Sequence, residues 1–300
     1  GGVGTGAGLG SQGAVIVSDD HRFLFAVNAG SDSVSSFRIR PSGLELIDTA
    51  PSGGDMPTSV AFHSGLLYVL NAGVPNSVSG LLVSRDGRLT PIPGSTRPLS
   101  GPATAPAQVG FSDDGATLVV TERATNLVDT YGVGDDGLLT GPFSYPSAGP
   151  TPFGFAIDRR GTLFVSEAGA GGGASTYRLG DAAALEPKSS MIMTGQRAAC
   201  WAVISKNGRY GYVTNAGTGN ISGFAVEPDG TASLLDADGV TAVTGGNPTD
   251  VAMSQDGRFL YARVAQLGRI SVFRVASDGS LEALPPFSGT PAGLAGLAAR

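Results

Sequence analysis

Cysteine is almost missing from this sequence: Cys200 stands alone, which excludes an intrachain disulfide and any thiolate-rich metal site. Histidine is nearly as scarce. With only His21 and His63, a three-histidine metal centre is impossible, and no Asp-x-Asp-x-Asp calcium loop occurs. Both histidines fall at strand–turn junctions, "SDDHR" and "AFHSG", and are expected at the solvent-facing rim, which leaves a Ser-His-Asp triad without support. Charged residues make up 15% of the chain and no basic run exists, so the footprint of a nucleic-acid binder is missing. No apolar run reaches the length of a transmembrane helix. Thiol poverty suits a secreted or periplasmic setting but leaves a cytoplasmic one open.

Glycine, by contrast, is abundant at 47 residues, with 19 prolines and 41% hydrophobic residues. That mixture suits many short strands joined by tight turns. One stretch makes the pattern explicit. "YVTNAGTGNISGF" (212–224) reads as strand, tight loop, strand, and it recurs as "FAVNAGSDSVSSF" (25–37) and "YVLNAGVPNSVSGL" (68–81). It recurs again as "VVTERATNLVDTY" (119–131), "FVSEAGAGGGASTY" (164–177) and "YARVAQLGRISVF" (261–273). The residue closing the first strand is then Asn28, Asn71, Glu122, Glu167, Asn215 and Arg263. Those positions recur at 43, 51, 45, 48 and 48 residues, a propeller-like period of about 47.

Each period reads as four strands with Asp-Gly or Asn-Gly turns, as in residues 246–284, where "QDG" and "SDG" separate apolar runs. A four-stranded sheet cannot bury both faces alone, and closing a stack of them into a ring gives a β-propeller. Six complete modules start near residues 14, 56, 105, 149, 196 and 246. The stretch "TPAGLAGLAA" (290–299) then opens like the inner strand of a seventh, while residues 1–13 read as a Gly-rich loop. The expectation is one all-β propeller domain over residues 1–300. Its last blade would be completed by a separate N-terminal segment or a second chain.

The module as a whole resembles that of the bacterial lactonase-family seven-bladed propellers, a group of 6-phosphogluconolactonase-like proteins and carboxymuconate cycloisomerases. Surface-layer propellers share the "YVTN" repeat. The resemblance implies a small lactone or unsaturated carboxylate bound at the mouth of the central channel, with hydrolysis or isomerisation by a His, a Glu and Arg residues. It implies no cofactor, no metal, no nucleic acid and no membrane. The family's His-Pro-His stretch reads Pro106, Ala107 and Gln108 here; its Arg-bearing positions read Phe153 and "NAG" (215–217). Glu167 matches the family's acid.

On these grounds Glu167 and Glu122 are the candidate acid–base pair, since neighbouring carboxylates raise one another's pKa. Arg263, Arg197 and Arg123 are candidate carboxylate anchors. Trp201, Gln108, Asn28, Asn71 and Asn215 complete the expected lining of the channel mouth. The competing reading is that each of these residues caps its own hairpin loop, which makes the protein a non-catalytic binding or interaction scaffold.

Overall fold

The computed structural model describes residues 2–6, 8–291 and 293–300. Six antiparallel sheets follow one another along residues 15–51, 57–98, 106–146, 152–193, 199–243 and 248–288. In each, the four strands lie side by side in chain order. Two sheets carry a short extra strand where the outermost one is interrupted, at Arg97–Pro98 and Ala242–Val243. Among the described residues the only helical turns are the 3-10 pieces Asp181–Ala183 and Ala265–Leu267. The all-β propeller expected from the repeats is therefore what forms.

The repeat is a packing necessity. Alternate side chains of the second strand, such as Leu118 and Val120 or Leu163 and Val165, are fully buried between neighbouring sheets. Tyr68 of blade two donates to the carbonyl of Gly137 in the outer turn of blade three. Tyr212 of blade five reaches Gly279 of blade six in the same way, at 2.8 Å. The Asp-Gly turns form the lower face of the ring, where Asp20, Asp114 and Asp256 each accept from the serine two residues before them. The hairpins between second and third strands, with the crossovers that enter each inner strand, form the upper face.

Each inner strand has one edge paired to its own sheet and one edge open toward the axis. In blades three and four the fourth residue of the inner strand is capped from the preceding blade. Val109 N–H donates to Ser59 Oγ at 3.2 Å, and Phe155 N–H to Gln108 Oε1 at 2.7 Å. Blade four has Gly154 at the capping position and no side chain to offer. Gln12 crosses the axis instead: Ala202 N–H donates to its Oε1 at 2.9 Å, and its Nε2 donates to Ala202 C=O at 2.7 Å. A β-carbon on Gly154 would stand 2.0 Å from that Oε1.

Residues 11–13 are thus part of the interior. Gln12 N–H bonds Ala107 C=O, Ser11 Oγ donates to Thr58 C=O, and Gly13 C=O accepts from Val60. The loop expected over 1–13 is irregular in conformation, yet its last residues fill the channel. Gln12→Ala removes the partners of both backbone groups of buried Ala202 and is expected to cost about 2–4 kcal/mol. Chemical denaturation measures it, and a loss below about 0.5 kcal/mol would mean that water replaces the side chain.

Candidate functional site

The slot residues all lie on the upper face, each inside its own blade. Asn28 donates to Ser33 and Ser35, Asn71 to Ser79, and Asn215 to Asn220 and Ser222, all on the strand that follows. Glu122 and Glu167 occupy the equivalent ladder position, Pro106 pairing with Glu122 and Pro152 with Glu167 as Pro57 pairs with Asn71. Both are fully buried. Glu167 accepts from Ser147 Oγ at 2.7 Å and Ser175 Oγ at 2.6 Å. Glu122 accepts from the backbone and hydroxyl of Ser100 and from Thr125 Oγ1.

Arg263 needs correction. Pro248 pairs with Val264 and Asp250 with Arg263, so the slot of blade six is Val264. Arg263 stands one residue earlier, at the position of Thr121 and Thr214, and a one-residue offset in a strand turns the side chain to the opposite face. There it bonds Thr249 Oγ1 at 2.7 Å and the carbonyl of Pro291 at 3.2 Å. The histidines also differ from expectation. They lie on the lower face and are half-buried, the His63 ring 5.8 Å from that of Phe111.

No motif marks Asp129, which the structure brings to Glu122. The amide of Ser100 donates to both, at 3.0 Å to Glu122 and 3.2 Å to Asp129. Burial, reinforced by the neighbouring Glu122 side chain, pushes Asp129 up to about 7. Burial does the same to Glu167, which rises to about 7 against its two hydroxyl partners. Cys200 is pushed up to about 12 by burial, which leaves a thiol and no nucleophile.

Nearer the axis, the upper mouth holds a different group. Trp201 Nε1 donates to Ser11 C=O at 2.9 Å, and its ring meets Phe153 edge-on at 5.2 Å. The Arg123 guanidinium lies 5.3 Å from the Phe153 ring centre. Its Nε donates to Ala105 C=O at 3.0 Å, and among the described residues its two terminal nitrogens make no hydrogen bond. Burial lowers its pKa. Arg197 is exposed and donates to Gly217 C=O in the hairpin of blade five. Gln108 is spent on Phe155, giving and receiving one bond. Below the plug, a cavity of about 520 Å³ opens to the lower face between Gln12, Asp19, Asp113, Arg159 and Leu297. Among the described residues no cluster of three metal-ligating side chains occurs.

The buried carboxyls predict a pH profile. Glu167 and Asp129 start from 4.5 and 3.8 and reach about 7, so between those limits the folded state holds protons that the unfolded chain has released. Stability therefore falls as pH rises through that window and levels off above it. Glu167→Gln is expected to raise Tm at pH 8, leave it nearly unchanged at pH 4.5, and flatten the decline between. A wild-type Tm constant from pH 4.5 to 8 would contradict this.

Comparison with known proteins agrees with the architecture. The pattern of the family described as "Lactonase, 7-bladed beta-propeller" matches residues 4–92 and 163–291, well over half of the chain. Among solved structures, a protein from Lactobacillus plantarum superposes with a TM-score of 0.79 at 20% identity, covering 94% of this chain and 86% of that one. The periplasmic gluconolactonase PpgL of Pseudomonas aeruginosa gives 0.76 at 22% identity, covering 92% and 85%. A putative 6-phosphogluconolactonase from Bacteroides fragilis gives 0.75 at 20%, covering 93% and 85%. At these identities the superpositions speak for the fold alone. No curated protein matches the sequence. The family pattern nevertheless spans both halves of the ring, and the chain belongs to the lactonase family of β-propellers.

Proposed function

We propose that this protein binds a small lactone, or the carboxylate made by opening one, at the upper mouth of the channel, with Arg123 as its anchor. One observation carries the reading: a guanidinium braced on Phe153 and tied through Nε, with both terminal nitrogens unbonded beside the axis. A planar cation presented in that way suits two parallel bonds to a carboxylate, or one to a lactone carbonyl. The Phe153–Trp201 pair supplies an apolar wall next to it. The printed names of two structural neighbours, a gluconolactonase and a putative 6-phosphogluconolactonase, are consistent with this ligand class.

Turnover is the finer part of the proposal. A carboxyl near pH 7 is suited to activate water on a lactone carbonyl and to return the proton to the leaving alkoxide, and Glu167 meets that condition. Glu122, joined to Asp129, is its counterpart one blade away. Isomerisation of an unsaturated carboxylate would use the same proton transfer. Both glutamates lie beneath crossovers, at Ser147–Gly149 and Ser100, which must shift for a ligand to reach them. Those same bonds favour a second reading, in which the carboxyls brace hairpins and the protein binds without turnover.

Glucono-δ-lactone hydrolysis above the spontaneous rate, with gluconate binding by calorimetry, tests both. Arg123→Ala is expected to weaken gluconate binding at least about tenfold with little change in Tm. Glu167→Gln is expected to abolish hydrolysis while leaving gluconate affinity intact. Loss of neither property in the two variants would remove the upper mouth from consideration, and binding without turnover would select the scaffold reading.

A further inference from the structure

On the lower face, the loop from inner to second strand contains two neighbouring residues with different duties. The later one is structural. Asp20, Asp114, Asn207 and Asp256 each accept from the serine two residues before and from the backbone N–H two residues after. In blade four the serine is replaced by Asp158, which pairs with Arg160 at 2.7 Å and accepts from the Thr162 amide. The earlier residue of each loop is Asp19, Asp113, Arg159, Lys206 or Gln255, and among the described residues none of these makes a hydrogen bond or an ion pair. The turn closes without them, so it places no demand on what stands there.

The five positions are nonetheless sorted by charge around the ring. Blades one and three contribute aspartates, blades four and five an arginine and a lysine, and blade six an amide. Blade two turns more tightly through Ser64 and Gly65 and lacks the position. Asp19 and Arg159 stand three blades apart, on facing sides of the axis, and Asp113 and Arg159 belong to adjacent blades without pairing.

Asp19, Asp113, Arg159 and Gln255 line the lower cavity of about 520 Å³. Much of the wall between them is apolar, formed by Val15, Val17, Val251 and Leu297. Gln12 and Gln108 also reach the cavity, but their amides are spent on Ala202 and Phe155. Polar recognition is therefore left to the charged rim. Asp19 registers this setting: partial burial raises its pKa, Asp20 and Asp113 add to the rise, and His63 and His21 oppose it. A cation brought between the two aspartates would relieve their repulsion, and Arg159 is free to take an anion.

We infer that the lower recess binds a small zwitterion, an amino acid whose ammonium and carboxylate are held apart by an apolar body. The ammonium lies between Asp19 and Asp113, the carboxylate meets the Arg159 guanidinium, and the methylene chain runs along the valines. A ligand with a single charge answers only half of the rim, and one with a polar body buries amides against Val15, Val17 and Val251 without partners. The recess lies beyond Gln12 from the upper mouth, so the assignment is independent of the lactone reading.

Calorimetry at low salt tests it with 4-aminobutanoate and 6-aminohexanoate. Hexylamine and hexanoate serve as single-charge controls, and triglycine as a zwitterion with a polar body. One of the two amino acids is expected to bind at least about tenfold more tightly than all three controls. Asp113→Asn and Arg159→Gln should each weaken that binding at least about fivefold with Tm unchanged, since neither side chain has a partner to lose. Arg123→Ala should leave it as it is. Absence of binding, or hexylamine or triglycine binding as tightly as the amino acids, overturns the inference. So does an affinity that survives either Asp113→Asn or Arg159→Gln, or an equal loss in Arg123→Ala, which would move the ligand to the upper mouth.

Discussion

Everything in this ring depends on the open edge of the inner strand. A four-stranded sheet satisfies its own interior by pairing, but the strand beside the axis has buried N–H groups on an edge with no partner strand. Leaving such a group unpaired costs about 1–3 kcal/mol. Blades three and four take a side chain from the neighbour, Ser59 or Gln108, while blade two takes the backbone carbonyl of Gly13. Where the neighbour is Gly154, the demand is met from the far side by Gln12. The glycine and the glutamine are separated by most of half the chain and make sense only together.

The same logic explains why carboxylates sit where asparagines suffice. The slot lies under a crossover, walled by serine hydroxyls, and an Asn amide fills it with no charge to bury. Glu122 and Glu167 fill it by accepting from Ser100, Thr125, Ser147 and Ser175. Desolvation favours the protonated acid, so Glu167 in blade four holds a proton close to neutral pH that an amide could not. Stability is given up for that, and a site with a chemical task is where such a concession is expected.

The fold was legible because its signals are local and repeated. Asp-Gly turns, the alternation of apolar residues and the Asn-Gly hairpins each report on a few neighbouring residues, and six copies correct one another's ambiguities. Legibility failed where a partner is chosen by pairing alone. Blade six has "VAQLG" in place of a glycine-rich hairpin, so nothing marks where its second strand ends, and Arg263 was aligned one residue off. Asp129 carries no motif, and its meeting with Glu122 follows from strand register. Gln12 lies in a stretch that looks like a flexible linker, and Arg123 follows the slot, where nothing distinguishes it from a surface charge.

The plug at residues 11–13 divides the axis of the molecule. Ser11 and Gln12 bond blades two, three and five at one level across the axis. The upper mouth, with its aromatic wall and the Arg123 guanidinium, and the lower cavity, ringed by Asp19, Asp113 and Arg159, lie on opposite sides of that level. Charges at the two ends are separated by this hydrogen-bonded segment, so they act on each other through protein, where screening is weaker than in water.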